Sequence, residues 1–134
     1  MADITITAGN VVPSSTASTL HGTAGAAITA GQAVYLDTTT NTYKLCDADV
    51  AASAVCAGIA LNGASSGQPI TILTDGQITI GGTVVKGTAY YVSLNAGGIG
   101  VAGDLGSGDY VSLIGIADRT STILVKRINT GVTI

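Results

Sequence analysis

Apolar and polar residues alternate along most of this chain, in short runs. Ile4-Thr5-Ile6-Thr7, Ile70-Thr71-Ile72-Leu73 and Ile78-Thr79-Ile80 place an apolar side chain at almost every second position. That is the period of a strand with one face buried. Asp75-Gly76, Gly81-Gly82, Gly97-Gly98 and Gly106-Ser107-Gly108-Asp109 interrupt the runs. Breaks at such short intervals mark the strands of a sandwich or small barrel. The pattern predicts strands near 33–37, 43–46, 56–61, 69–74, 77–80, 88–93, 98–101, 110–117, 122–127 and 131–134. A single helical turn is predicted from Asp47 to Val55, where Asp47 or Asp49 would cap Ala-rich residues.

Composition sharpens this. Val, Ile and Thr are abundant, and β-branched side chains suit a pleated surface better than a helix. Charged residues make up 10% of the 134, against roughly 25% in an ordinary domain. Glu, Phe and Trp are absent. Amphipathic surface helices, a helix bundle and a coiled coil are therefore not expected. The length is that of one domain, and 46% apolar residues is too many for a disordered chain. Net charge is −3. Lys44, Lys86, Arg119, Lys126 and Arg127 are scattered, whereas a phosphate backbone needs clustered cations, so no nucleic-acid partner is expected. The longest weakly polar run, Ala51 to Leu61, falls short of the ~20 residues that span a bilayer, so no membrane partner is expected either. The N-terminal residues lack a basic stretch followed by an apolar one, which predicts synthesis in a cytosol without a signal peptide.

Self-comparison is the most informative signal. Gly31-Gln-Ala-Val-Tyr-Leu aligns with Gly87-Thr-Ala-Tyr-Tyr-Val, and Ala57-Gly58-Ile59-Ala60 with Ile114-Gly115-Ile116-Ala117. Thr71-Ile72-Leu73 aligns with Thr122-Ile123-Leu124, and Ile78-Thr79-Ile80 with Val132-Thr133-Ile134. The blocks keep their order. The expected fold is all-β: a compact β-barrel or β-sandwich built from two similar halves, about 26–80 and 82–134, sharing one core. Each half reads as a hairpin, a loop, a strand with a central Gly, and a closing hairpin. Gly31, Gly58, Gly87 and Gly115 recur at matching places and are read as fold-determining. Gly58 and Gly115 would mark a bulge or barrel corner.

Residues 1–25 have no counterpart in the repeat and are read as an N-terminal arm and linker, leaving 26–134 as the single β domain. Ile4 to Thr7 looks like a strand, and Pro13-Ser-Ser-Thr-Ala-Ser-Thr like a polar, uncharged linker. Two readings fit. The segment is a loose terminus or edge strand of its own domain, or an extended arm that adds a strand to a sheet of another chain. In the second case Ile4, Ile6, Val11 and Val12 are the candidate docking residues.

No set of residues converges on catalysis, metal binding or a cofactor, and the chain is not expected to be an enzyme. His21, the only histidine, sits in the polar linker region without a partner in sequence. Cys46 and Cys56 lack the second ligand pair that zinc needs, and read as buried thiols, with a disulfide as the alternative. Asp47-Ala-Asp49 is half of a calcium loop, but the Glu that completes the pattern is missing. Turn capping explains it and also Asp104 and Asp109. The Gly-rich stretches lack the Lys and helix of a phosphate loop. Tyr35, Tyr90 and Tyr91 lie in equivalent strands, either as core fillers or as a platform for stacking sugars.

Four stretches resemble the small capsid cement, or decoration, proteins of tailed bacteriophages. They are Ile28-Thr-Ala-Gly-Gln-Ala-Val-Tyr-Leu-Asp, Ala57-Gly-Ile-Ala-Leu-Asn with Gly67-Gln-Pro-Ile-Thr-Ile-Leu, Lys86-Gly-Thr-Ala-Tyr-Tyr-Val-Ser, and Gly108-Asp-Tyr-Val-Ser-Leu-Ile-Gly-Ile-Ala. The resemblance runs from Ile28 to Ile134. It implies an all-β protein on the outer surface of a phage head, bridging subunits of the major capsid protein against internal DNA pressure. It also implies a homo-oligomer, a trimer before a dimer, and an N-terminal extension that augments a capsid sheet. The alternative is a glycan-binding or adhesive tip module of a virion, which the missing Trp disfavours. An ice-binding surface ranks lower, because Thr does not recur at one spacing over several strands.

Overall fold

The computed structural model describes residues 3–134; residues 1 and 2 of the expected arm lie outside the described residues. The protein is nearly all-β, a curled antiparallel half-barrel sheet. Its strands are β1 (Val11–Pro13), β2 (Ser18–Thr23), β3 (Ala33–Asp37), β4 (Thr42–Leu45), β5 (Gly58–Ala60), β6 (Pro69–Ile80), β7 (Ala89–Val92), β8 (Ile99–Gly100), β9 (Tyr110–Ala117) and β10 (Thr122–Thr133). Two 3-10 turns, Ala8–Asn10 and Ala102–Asp104, complete the regular structure. The main path runs β4-β3-β5-β6-β10-β9-β7-β8, with β1 and β2 also paired to β6.

The apolar alternation becomes the core directly. Ile59, Leu73, Ile78, Ile80, Val92, Ile99, Ile114 and Ile123 are fully buried in one cluster that draws on strands from both ends of the path. A smaller cluster lies on the opposite face of β3, β5 and β6, where Val34, Ala60, Ile70 and Ile72 pack with Ala24 and Ile28. The single shared core expected from the repeat is thus two, because the segment 18–28 covers the second face.

Two expected breaks and one expected helical turn are corrected. Residues 69–74 and 77–80 are one strand, and so are 122–127 and 131–134. Asp75-Gly76 is therefore a kink within β6 and not a hairpin turn. Leu73 faces the main core before it, and Ile78 and Ile80 face that core after it, so the strand changes parity at the kink. A one-residue irregularity does this to a period-two strand. In β10, register shifts against β9 fall between Val125 and Ile128 and between Asn129 and Thr133. The third correction is the helical turn. Residues 47–55 form successive turns with a single Ala54 N–H to Val50 O bond of helical span, because Asp47 turns the chain by accepting from Asp49 N–H at 3.0 Å.

Residues 3–25 are not a free extension in the single chain. β1 pairs with the C-terminal half of β6 on the flank opposite β10, and β2 pairs with the N-terminal half on the flank opposite β5. The linker between them therefore crosses over β6. It does so at Gly76, whose φ is +109° and where a Cβ would stand 2.8 Å from Ala17 Cα. Only glycine combines that backbone angle with that approach.

Candidate docking surfaces

The first surface is the N-terminal segment. Ile4 N–H donates to Ile99 O at 2.9 Å and Thr7 N–H to Gly81 O at 2.8 Å, so residues 4–7 run beside β8 and the turn after β6. Asp3 anchors the start, its carboxylate accepting from Ser93 Oγ at 2.6 Å and Asn95 Nδ2 at 3.0 Å. Ile4 and Ile6 are half-buried against the main core and Val11 is buried, while Val12 is 54% exposed. Alternation explains this, since Val11 and Val12 must point to opposite faces. Between this segment and residues 81–88 lies an open cleft of about 770 Å³, lined in part by Thr5, Thr7, Thr83, Thr88 and Gly82.

The second surface is the outer side of β9 and β10. Ile116 faces Leu124 and Leu113 faces Ile128 across the ladder. Cross-strand partners share a face. Ile116, Leu124 and Ile128 are 48%, 49% and 54% exposed. Past Lys126, among the described residues, β10 has β9 on one flank only, because β2 takes the place beside β6. Sequence reasoning missed this flank, since its exposure depends on where β2 goes.

The four repeat glycines divide into two kinds. Gly31 and Gly87 both have positive φ, +94° and +84°, and start the hairpins β3-β4 and β7-β8. Gly58 and Gly115 lie against a neighbouring backbone: a Cβ on Gly58 would strike Leu73 O, and one on Gly115 would strike Leu124 O.

The remaining candidates are placed as follows. His21 lies on β2, its Nδ1 3.0 Å from Thr71 Oγ1 across the ladder. Among the described residues no three His, Cys, Asp or Glu side chains gather as a metal set. Cys46 and Cys56 are free and buried, and the hydrogen bond with Cys56 together with burial raises Cys46 well above the ordinary thiol value. Asp109 Oδ2 accepts from Gly106 N–H at 2.6 Å, as a turn cap does. Tyr90 is 5% exposed and its hydroxyl accepts from Val85 N–H at 3.0 Å, so its ring fills the core; Tyr35 and Tyr91 are half-buried. Among the described residues no helix is long and apolar enough to cross a membrane.

Asp118 is the most firmly held carboxylate at the β9-β10 turn. It accepts from Thr122 Oγ1 at 2.5 Å and Gln77 Nε2 at 2.6 Å, and the first of these bonds chiefly lowers its pKa. Comparison with known proteins gives no match: no family model, no curated protein and no solved structure is significantly similar to the chain.

Proposed function

We propose that this chain is a structural virion protein that binds the outer surface of a phage head and bridges major capsid protein subunits. The observation that carries the reading is the attachment of residues 4–7. They lie along the barrel outside any strand, joined to it by two backbone bonds, beside an open cleft lined in part by threonines. A segment outside the strand ladders can leave its own barrel, giving up these bonds and those of Asp3, and pair with a sheet edge of a capsid subunit, with Ile4 and Ile6 as side-chain anchors. A rigid aliphatic barrel then carries load between subunits, and several weak contacts engaged together give avidity. Few surface charges limit the salt sensitivity of those contacts. The protein acts as a homo-oligomer, made in the host cytoplasm and mounted on the finished shell.

We read the domain as a duplication. The strand order supports this: outward from the central β6-β10 pair, β5, β3 and β4 on one side answer β9, β7 and β8 on the other. Gly58 against Leu73 O and Gly115 against Leu124 O support it further, because Leu73 and Leu124 are themselves partners in the sequence repeat.

Cryo-microscopy of the source virion tests the reading. Density for this fold is expected on the outer face at subunit junctions. Absence of the chain from purified heads, or heads equally robust to heat after its deletion, would refute the assignment.

A further inference from the structure

Residues 3–7 lie on a bed of glycines. A Cβ on Gly98 would strike Asp3 Oδ2, and one on Gly82 would strike Thr5 O. On Gly100 it would stand 2.9 Å from Asp3 Oδ1, and on Gly31 2.6 Å from Ile6 Cγ2. Side chains are thus missing where the segment needs close approach to the barrel. Its sides are open. The cleft of about 770 Å³ separates it from residues 81–88, and a second cleft of about 220 Å³ opens towards residues 29–32 and 95–98.

The start of the segment is seated by charge. Ser93 Oγ and Asn95 Nδ2 both donate to the Asp3 carboxylate. Bonds to an ionised acceptor are about twice as strong as neutral ones. Both donors are held from within the barrel. Ser93 is 4% exposed, its N–H donates to Gly98 O at 3.2 Å, and its O accepts from Ala48 N–H at 3.0 Å. Its Oγ also accepts from Asn95 N–H at 3.1 Å. None of these bonds involves residues 3–7, so the cradle stays formed when the segment leaves. A second carboxylate, Asp104, lies 3.4 Å from the same point on Gly100, and its like charge makes the seat a releasable one.

We propose that residues 3–7 are an autoinhibitory strap, latched by the Asp3 carboxylate in the cradle of Ser93, Asn95, Gly98 and Gly100. The seated and docked states exclude each other. Ile4 N–H and Thr7 N–H are bonded to the barrel, and Ile4 and Ile6 are half-buried against its core. Those are the groups that pairing with a sheet edge of another chain requires. Unlatching frees them together, because the turn Ala8–Asn10 separates the strap from β1, which keeps its own ladder on β6. A strap that is mostly seated lowers the apparent affinity for a partner by the fraction released. The latch concerns the isolated chain; its effect on docking rests on the head-surface reading.

Backbone hydrogen exchange of the full chain tests the latch, with Asp3→Ala emptying the cradle and Gly98→Ala filling it. Exchange at Ile4 and Thr7 should quicken at least about tenfold in each variant, as expected for lost bonds to a charged group. Leu61, whose N–H donates to Thr71 O at 2.9 Å, should be unaffected, and circular dichroism unchanged. Adding Gly98→Ala to Asp3→Ala should change nothing further, because both act on one contact. Parent-like exchange in both single variants, or additive effects in the double one, would overturn the latch alone. Binding to purified heads stripped of the chain reads the consequence. Gly98→Ala leaves the strap sequence intact and should bind about tenfold more tightly than the parent, as the released fraction rises. Quickened exchange with unchanged binding would overturn the docking role of the strap, and with it the head-surface reading on which that role rests.

Discussion

The crossing of the N-terminal linker over β6 makes Gly76 a demanding position in the chain. An alanine there meets two separate costs. Its φ of +109° is one that L side chains rarely adopt, a strain of about 1–3 kcal/mol. Its Cβ would also sit 2.8 Å from Ala17 Cα and 3.1 Å from Ala17 Cβ, so the crossing segment must move, an overpacking cost of about 1–3 kcal/mol. Gly87→Ala separates the two. Gly87 has φ +84°, and a methyl group there would meet nothing within 4 Å, so only the strain applies. For a chain of this size 1 kcal/mol moves the melting temperature by about 4 °C. Gly76→Ala should then melt about 8–24 °C below the parent, and at least about 4 °C below Gly87→Ala. Hydrogen exchange locates the cause. Ser14 N–H, bonded to Gln77 O at 2.9 Å, and Ala17 N–H, bonded to Ser14 O at 3.2 Å, should lose protection in Gly76→Ala alone. Equal melting of the two variants, or unchanged protection at Ser14 and Ala17, would refute the crossing as the reason for this glycine.

Three further outcomes are expected. Asp118 is held below the ordinary aspartate value of 3.8 by its bonds to Thr122 and Gln77. A depressed folded pKa stabilises the fold above the unfolded value and is lost as pH falls through the folded one; Asp118→Asn should lower the neutral melting temperature and flatten its fall below about pH 4, and an unchanged slope would count against these bonds. Cys46 and Cys56 should resist alkylation in the folded protein and take two labels once unfolded, read by intact mass; a loss of two protons without labelling would reveal a disulfide instead. Asn129→Ala strips the buried Cys56 N–H of its partner and should cost about 1–3 kcal/mol in a denaturant titration; a loss below about 0.5 kcal/mol would mean that a solvent molecule replaces the side chain.

Much of the architecture is written in the order of residues. Period-two alternation at Ile70–Ile72 and Ile78–Ile80 specifies strands, because a pleated backbone sends successive side chains to opposite faces, whereas the same alternation at Ile4–Thr7 forms none, its backbone being bonded only at Ile4 to Ile99 and at Thr7 to Gly81. The absence of Glu and the surplus of β-branched residues specify that nothing else will compete. The repeat placed Gly31 with Gly87 and Gly58 with Gly115, and each pair meets the same local condition in the structure. Those are local properties, set by backbone angles and by what a single strand must bury. The path of residues 3–25 is not local. Asp75-Gly76 has the composition of a turn, and only the linker passing over it turns the same dipeptide into a mid-strand kink. The bare flank of β10 follows from that choice, since β2 takes the place beside β6 that β10 would otherwise fill. The identity of the strands from β3 to β10 was thus largely determined by the sequence itself, while Ser18–Thr23, read as part of a polar linker region, became a strand only by pairing with β6. Which strand covers which flank, and so which surface is left to meet another molecule, was decided only by competition for pairing in three dimensions.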